Sequence, residues 1–440
     1  MLFAGDIFFL CLSLWLTLLV RYGKIPDFSL FYDHFSAFVF LFFVWVVVFF
    51  ISGLYEKHTL ILRNKIPATI FNAQLVNSGL AVLFFYLVPY FGITPKTNLF
   101  IYLLISFGFI LSWRIYGEVF FRVRHKQNAI LIGSGSEMKE LKQEVNHNPR
   151  YDLFFVSSID LEGVENLDFK DEILEQIYSN DVQVIVADFK NNKLGPVLPN
   201  LYNLVFSKIR FIDINKIYED IFDRIPLSLI TYSWFLENFS LDSKPLYDFF
   251  KRIMDISAGF VLGLISLVLY PFVFIAIKLD DGGAIFSVQE RVGKNNLPVK
   301  MFKFRTMTVA NDGGKWGEGN QNRVTRVGAF LRKSRIDELP QLWNVLIGDL
   351  SLIGPRPEFY DAVKQYEKDI PYYSVRHLLK PGLSGWAQIY HDEHPHHGLA
   401  VDKTKDKLSY DLFYIKNRSL ILDIVIALKT IKKLILRVGV

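Results

Sequence analysis

Cysteine is almost absent: Cys11 stands alone in a chain of 440 residues. No intrachain disulfide can form, and no metal site built on cysteine is available. Charge is sparse as well. Charged residues make up 21% of the chain, and a net charge of +5 does not point to a nucleic-acid partner. Beside a membrane the same bias favours an anionic leaflet. What the chain has in excess is apolar surface, with 51% hydrophobic residues, 16% aromatics and 41 phenylalanines. The length allows two or three domains.

Four apolar runs fill the first 120 residues, at about 2–20, 35–54, 68–90 and 99–116. Each approaches the ~20 residues that cross a hydrocarbon core. The first, LFAGDIFFLCLSLWLTLLV, lacks a basic start and a small-residue cleavage site, so it reads as a span rather than a cleaved signal peptide. Asp6 near its start reads as interfacial. Basic residues set the orientation. Arg21 and Lys24 in the first loop are offset by Asp27 and Asp33, and the third loop holds only Lys96. Lys57, Arg63 and Lys65 fill the second loop, and Arg114, Arg122, Arg124 and Lys126 gather at the end. Both ends of a bundle spanning 1–120 are therefore expected on the cytoplasmic side. Its apolar surface leaves room for a homodimer and for membrane lipids as partners.

An α/β pattern follows over about 127–225. NAILIGSGSEMKELKQEV reads as strand, glycine turn and helix, and DLFFVSS, VQVIVAD and KIRFIDI read as further strands. Parallel βα units and a Rossmann-like (CoA-binding-like) domain are expected. The turn carries Gly133 and Gly135, but Met138 stands where a dinucleotide fingerprint places its third glycine. Asp160 lies about where a ribose-binding acid would. This is at best a weak nucleotide site; the plainer reading is a tightly packed turn.

A fifth apolar run covers 256–277, yet both flanks are basic: Lys251 and Arg252 before it, Lys278, Arg291, Lys294, Lys300, Lys303 and Arg305 after it. Pro271 removes a backbone donor inside the run, so a bend is expected there. A helix over about 253–277 that enters and returns to the same side satisfies both observations. A kinked fifth crossing is the alternative.

Residues 283–390 carry the chemistry. IFSVQERVGKNNLPVKMFKFRTM reads as two strands joined at Gly-Lys-Asn-Asn, with Lys303 and Arg305 on one face as candidate phosphate- or substrate-binding cations. In RKSRIDELPQLWNVLIGDLSLIGPRP, Ser334 and Asp337 have capping-box spacing, which would place Asp337 in a first helical turn beside free N–H donors. Pro340 makes that turn irregular. Arg332, Lys333 and Arg335 add positive charge. Pro355 and Pro357 restrict Arg356 on both sides, which suits a planar grip on phosphate. The plain alternatives are a capped helix with solvated charges and a rigid turn. Adjacent carboxylates among fixed cations suit attack at phosphorus assisted by Mg²⁺ bound through Asp337 and Glu338, with Mn²⁺ a substitute. The residues themselves leave open which carboxylate attacks.

KRIMDISAG, RVG, KFRTM, LRKSRIDELPQLWNVLIGDLSLIGPRPE, LKPGLSGWAQI and YDLFYIKNRSLILDIVIALKT together cover about 245–434. In these pieces the chain resembles the bacterial polyprenyl-phosphate glycosylphosphotransferases, the initiating sugar transferases. The four spans and the middle domain match the large branch of that monotopic superfamily. The resemblance implies an α-helical membrane bundle, a Rossmann-like α/β domain, and a membrane-associated α/β catalytic domain over 245–440 with a re-entrant helix broken at Pro271. It implies transfer of a sugar-1-phosphate from a UDP-sugar to undecaprenyl phosphate with release of UMP, initiating polysaccharide or glycoconjugate assembly at the bacterial cytoplasmic membrane. The catalytic domain would face the cytoplasm. By the same resemblance Asp337 is the covalent nucleophile and Glu338 its partner, Lys303 and Arg332 bind phosphate, and Arg356 binds phosphate or shapes the site.

One stretch departs from the family. After Gly-Trp-Ala-Gln comes IYHDEHPHHGLAVDKTKDK, with His391, Asp392, Glu393, His394, His396 and His397. The order lacks a helical zinc-ligand spacing, so a solvated or sugar-selecting loop is expected, and the sugar stays open. The competing functions are a membrane-tethered enzyme using NAD or modifying nucleotide sugars through the middle domain, and a non-catalytic scaffold for polysaccharide assembly. The intact acidic pair beside an incomplete glycine fingerprint argues against both.

Overall fold

The computed structural model describes residues 2–55, 66–88, 95–121, 126–148, 151–163, 173–207, 209–239, 244–308, 323–390 and 401–436. The chain divides into two compact units, Met1–His125 and Lys126–Val440.

The first unit is four helices: α1 (Leu2–Tyr22), α2 (Phe28–Ile51), α3 (Ile66–Leu87) and α4 (Pro95–Phe121). All four are long and apolar enough to cross a membrane, and the protein is a multi-pass membrane protein. Asp27 starts α2 by accepting a hydrogen bond from the Leu30 N–H at 3.0 Å. Trp45, Phe38 and Tyr102 meet Leu10 and Leu14 in its core. Asp6 is not interfacial as expected: it is fully buried, paired with Arg114 and hydrogen-bonded by the Tyr55 hydroxyl at 2.6 Å. Arg114 also donates to the Leu54 carbonyl at 2.6 Å. A charge in an apolar interior is tolerated only when paired. Arg114 is therefore spent within the bundle and drops out of the count of free basic residues that sets orientation.

The second unit begins with a doubly wound sheet. Strands β1 (Gln127–Gly133), β2 (Leu153–Asp160), β3 (Val184–Ala187) and β4 (Arg210–Asp213) are all parallel, in the order β2-β1-β3-β4. Helices α5 (Gly135–His147), α6 (Glu175–Ser179), α7 (Leu198–Asn203) and α8 (Ile214–Phe222) accompany them. Ile130 and Ile132 face one core, and Ala129 and Leu131 the other. Burial on both faces explains why these strands read as unbroken apolar runs.

After α9 (Tyr232–Asn238) come α10 (Pro245–Leu267) and α11 (Tyr270–Asp280), bent by 53°. The bend has a local cause. Pro271 has no N–H to give the Leu267 carbonyl, and α10 stops at Leu267. Val268 and Leu269 close the break with tight turns onto Ile265 and Ser266. Residues 253–267 span ~22 Å and α11 ~16 Å at 1.5 Å per residue. Neither arm matches the ~30 Å hydrocarbon core. Before residue 253 the helix is anchored, because Arg252 donates to the carbonyls of Val345 and Leu346 at 2.7 and 2.8 Å.

The rest of the unit packs around these arms. Strands β5 (Phe286–Val292) and β6 (Pro298–Phe304) form the expected hairpin, with Asn295 and Asn296 at positive φ in its turn. Helices α12 (Arg326–Ser334) and α13 (Gln341–Ile347) follow, then β7 (Ser351–Ile353), α14 (Tyr360–Asp369), β8 (Gly382–Ser384) and α15 (Trp386–Tyr390). Helices α16 (Val401–Asn417) and α17 (Leu420–Leu436) close the unit. Ile225, Ile230, Trp234 and Phe235, which leave the doubly wound sheet, are buried in one core with Tyr373, Trp386, Leu408 and Leu412.

Candidate active site

The acidic pair sits between α12 and α13, in a single 3₁₀ turn, Ile336–Glu338. This corrects the capping-box expectation. Thr325, not Ser334, caps α12 at its start, accepting from the Gly328 N–H at 2.9 Å. Ser334 lies at the far end, where its hydroxyl donates to the Phe330 carbonyl at 2.8 Å. The helix stops because Arg335 turns left-handed at φ 54°. Pro340 cannot donate, so the chain makes only i+3 bonds through Leu339 N–H to Ile336 before α13 starts. The two carboxylates are thus presented from a tight corner, not from a helical first turn.

Glu338 collects the cations. Lys303, at the end of β6, reaches it at 3.3 Å, Arg356 at 2.9 Å and Arg335 at 3.8 Å. Burial would raise its pKa, but Arg356, Lys303 and Arg335 outweigh burial and hold it well below the usual carboxylate range. Asp337 behaves oppositely. Burial first, and the neighbouring Glu338 charge second, push it up to about 6 against the pull of Lys303, Arg332 and Arg356. Among the described residues Asp337 has no ion pair. One carboxylate is locked as an anion and the other is left free beside the same cations, a separation of the kind that assigns two acids to two tasks.

Arg356 is held firmly. Gly354 allows β7 and β8 to approach: a Cβ there would lie 2.6 Å from the Lys380 carbonyl. The Pro355 carbonyl accepts from Gly382 N–H at 2.9 Å, and Arg376 donates to the Arg356 carbonyl at 2.9 Å. Arg376 is itself fixed by Asp411 at 2.8 Å and the Tyr373 hydroxyl at 2.5 Å. Sequence reasoning missed Arg376, Tyr373 and Asp411 as supports. Asp411 lay inside the YDLFYIKN motif, which was its only signal.

One expected site residue goes elsewhere. Arg305 does not join Lys303 at the acids: its side chain turns to Asp281 and to the Ala284 carbonyl, tying the end of α11 to the hairpin. Asp281 supplies a nearer carboxylate than the pair. Arg332 contributes to the field at Asp337, while its Nε donates to Thr306 Oγ1 at 2.9 Å.

At the glycine turn of the doubly wound sheet, the chain uses its own groups. A Cβ on Gly133 would meet Ile214 Cδ1 at 2.9 Å, and Gly135 has φ +85°. Glu137, in the first turn of α5, accepts from the Ser228 N–H at 3.2 Å and from Ser136 Oγ at 2.8 Å. Burial would raise Glu137, but these bonds bring it below its ordinary value. Asp160 accepts from the Glu162 N–H at 3.0 Å. A carboxylate therefore already stands where a pyrophosphate would seek the helix N-terminus.

Among the described residues no three of His, Cys, Asp and Glu cluster as a closed metal site. The acidic pair fits a hard divalent cation of the Mg²⁺ kind, which takes one or two carboxylates and completes its shell with water and substrate phosphates. Asp337, with no ion pair among the described residues, has oxygens to offer; Glu338 shares its own with three cations. His391 to His397 lie outside the described residues.

Residues 246–437 match the bacterial sugar transferase family. Over 202 residues the chain is 43% identical to a UDP-N-acetylgalactosamine-undecaprenyl-phosphate N-acetylgalactosaminephosphotransferase of Aeromonas hydrophila, covering 46% of this chain and 47% of that protein. It is 30% identical over 328 residues to a UDP-glucose:undecaprenyl-phosphate glucose-1-phosphate transferase of Xanthomonas campestris, covering 69% and 66%. An uncharacterised sugar transferase, EpsL, of Bacillus subtilis is 37% identical over 195 residues, covering 43% of this chain and 89% of that protein. The match thus spans about half the length of the Aeromonas relative.

Proposed function

Because the chain belongs to the bacterial sugar transferase family, we propose that it transfers a sugar-1-phosphate from a UDP-sugar to undecaprenyl phosphate and releases UMP. Relatives named for such transfers use both N-acetylgalactosamine and glucose donors, so the sugar is not assigned. The observation that carries the reading is the division between Glu338, neutralised by three cations, and Asp337, buried beside them with no ion pair among the described residues.

In the proposed reaction an Asp337 carboxylate oxygen attacks the phosphorus bearing the sugar. A P–O bond forms, the bond to UMP breaks, and UMP leaves with the electron pair. A phosphate oxygen of the lipid then attacks the same phosphorus and expels the Asp337 carboxylate, which is regenerated. Lys303 and Arg356, anchored by Glu338, neutralise the phosphate oxygens. Mg²⁺ held at Asp337 and Glu338 would supply further neutralisation of the diphosphate. Burial of Asp337 keeps water from the acyl phosphate. The transfer initiates glycan assembly. The bent arms α10 and α11 would enter and leave the membrane on one side, keeping residues 283–440 on the cytoplasmic face. The residues over 1–120, 127–225 and 245–440 would serve as anchor, support and catalyst.

The test is incubation of the full chain with undecaprenyl phosphate, Mg²⁺ and a panel of UDP-hexoses. Multiple-turnover release of UMP that depends on one donor and on lipid supports the assignment. Absence of UMP with every donor overturns it.

A further inference from the structure

We infer that Arg291 is a further binding residue of this site, poised to grip the diphosphate of the donor. The inference rests on the transferase reading above. The β5–β6 register places Arg291 opposite Val299 and Ser287 opposite Lys303, so alternation puts Arg291 and Lys303 on one face of the hairpin.

The state of its side chain is unusual. The Nε–H is enclosed and has no hydrogen-bond partner among the described residues. One Nη donates to Gln289 at 3.0 Å, and the guanidinium lies over the Phe359 ring with Cζ 3.2 Å from the centroid. Among the described residues no carboxylate lies within ion-pair distance of it, whereas Arg224, Arg305, Arg356 and Arg376 each have one. Burial draws its pKa down to about 10, and Arg356 adds repulsion that Glu358 and Glu338 offset. A desolvated cation with no direct ion pair among the described residues is costly, and the more distant carboxylates and stacking on an aromatic ring offset only part of that cost. An anion with two acceptor oxygens, which a diphosphate offers and the planar fork matches, removes the deficit. The residues that follow Arg291 lie beside Arg356: Val292 and Gly293 line one small pocket with Pro355, Arg356 and Pro357. Glu338 fixes the position of Arg356 on one side, and Phe359 fixes Arg291 on the other.

A packing function for Arg291 makes the opposite predictions. In Arg291→Met the stem and ring contact are retained and the unpaired charge is gone. Measured on the full chain in nanodiscs, its ligand-free unfolding temperature should equal or exceed that of the parent. The upward shift produced by UDP should shrink, and KM for the UDP-sugar should rise on the order of 10- to 100-fold, the range for a lost charged hydrogen bond. KM for a short-chain polyprenyl phosphate should not change. Arg291→Lys, which keeps charge but loses the fork, should recover only part of the donor affinity, and carries the same test if the methionine variant does not fold. A lower ligand-free unfolding temperature with unaltered UDP shift and KM overturns the proposal in favour of packing. A rise in acceptor KM alone overturns the donor assignment and moves Arg291 to the lipid phosphate. Failure of the transferase reading itself is separate: the parent protein would then show neither a UDP shift nor UMP release.

Discussion

At the scale of the residue, the site turns on two neighbours with opposite surroundings. Asp337→Asn keeps size and removes the nucleophilic charge. Turnover should fall by on the order of 10³-fold or more, the scale seen when a covalent nucleophile is deleted. Intact-protein mass spectrometry with UDP-sugar and no lipid should show a sugar-phosphate adduct on the parent chain and none on Asp337→Asn; equal adduct on both would rule the nucleophile out. Glu338→Gln acts differently. It leaves Lys303, Arg335 and Arg356 without their shared counter-charge. Because all four side chains are partly exposed, the expected cost is ~1–3 kcal/mol of stability, below that of a fully buried pair, read as a drop in unfolding temperature alongside impaired turnover. Chelation of divalent ions should abolish UMP release, with Mg²⁺ restoring it and Mn²⁺ restoring part. Full activity with verified negligible metal would contradict the assignment of the carboxylates. Lys303 and Arg356 were legible as cations from sequence because they are flanked by distinctive neighbours. Arg305 was not separable from Lys303, because its partner Asp281 lies 24 positions earlier in the chain.

Among the elements, breaks were readable where a residue type forces them and unreadable where several would serve. Pro271 dictates the end of α10 by subtraction of one donor. The end of α12 depends on Arg335 adopting a left-handed conformation, which nothing in Arg-Lys-Ser-Arg demands. The pattern Ser-x-x-Asp was therefore assigned to the wrong end of a helix. The pairs Arg376 with Asp411 and Asp6 with Arg114 escaped for another reason: their members are distant in sequence and meet only after folding. The bent pair α10–α11 yields a topological prediction. With Cys11 replaced by serine, cysteines placed singly at Asn296 and Lys403 should resist a membrane-impermeant reagent in intact cells and react after permeabilisation. Labelling of both in intact cells would mean that the arms cross the membrane.

For the whole molecule, the doubly wound sheet and the candidate catalytic region share more than a linker. Residues 225–239 contribute Ile225, Ile230, Trp234 and Phe235 to the core beneath Tyr373 and Trp386. Ser409 and Ile225 exchange hydrogen bonds of 2.6 and 3.1 Å, and Lys416 pairs with Glu219 at 2.7 Å. By sequence the middle domain is expected to end near residue 225 and the catalytic domain to begin near 245, but the sequence could not reveal that residues 225–239 belong to the core of the catalytic region. Trp234→Ala in the full chain should accordingly destabilise the catalytic region by ~3–5 kcal/mol, the range for an emptied aromatic site. Its unfolding temperature should fall together with transferase activity, whereas a mere tether would leave both unchanged. On the same grounds a chain starting near Asp242 should be less stable than one starting near Asp223.

The joining of Ile225 to Ser409 also sets a clock on synthesis. The two are 184 positions apart. At ~5–20 residues per second the ribosome needs roughly 10–40 s to deliver the second after the first. Throughout that interval Trp234, Phe235 and their neighbours have emerged without the helix that will cover them, while the first four helices are already being handed to the bilayer. The nascent chain must carry a large aromatic surface unassembled until α16 arrives, so its yield depends on what shelters that surface during translation.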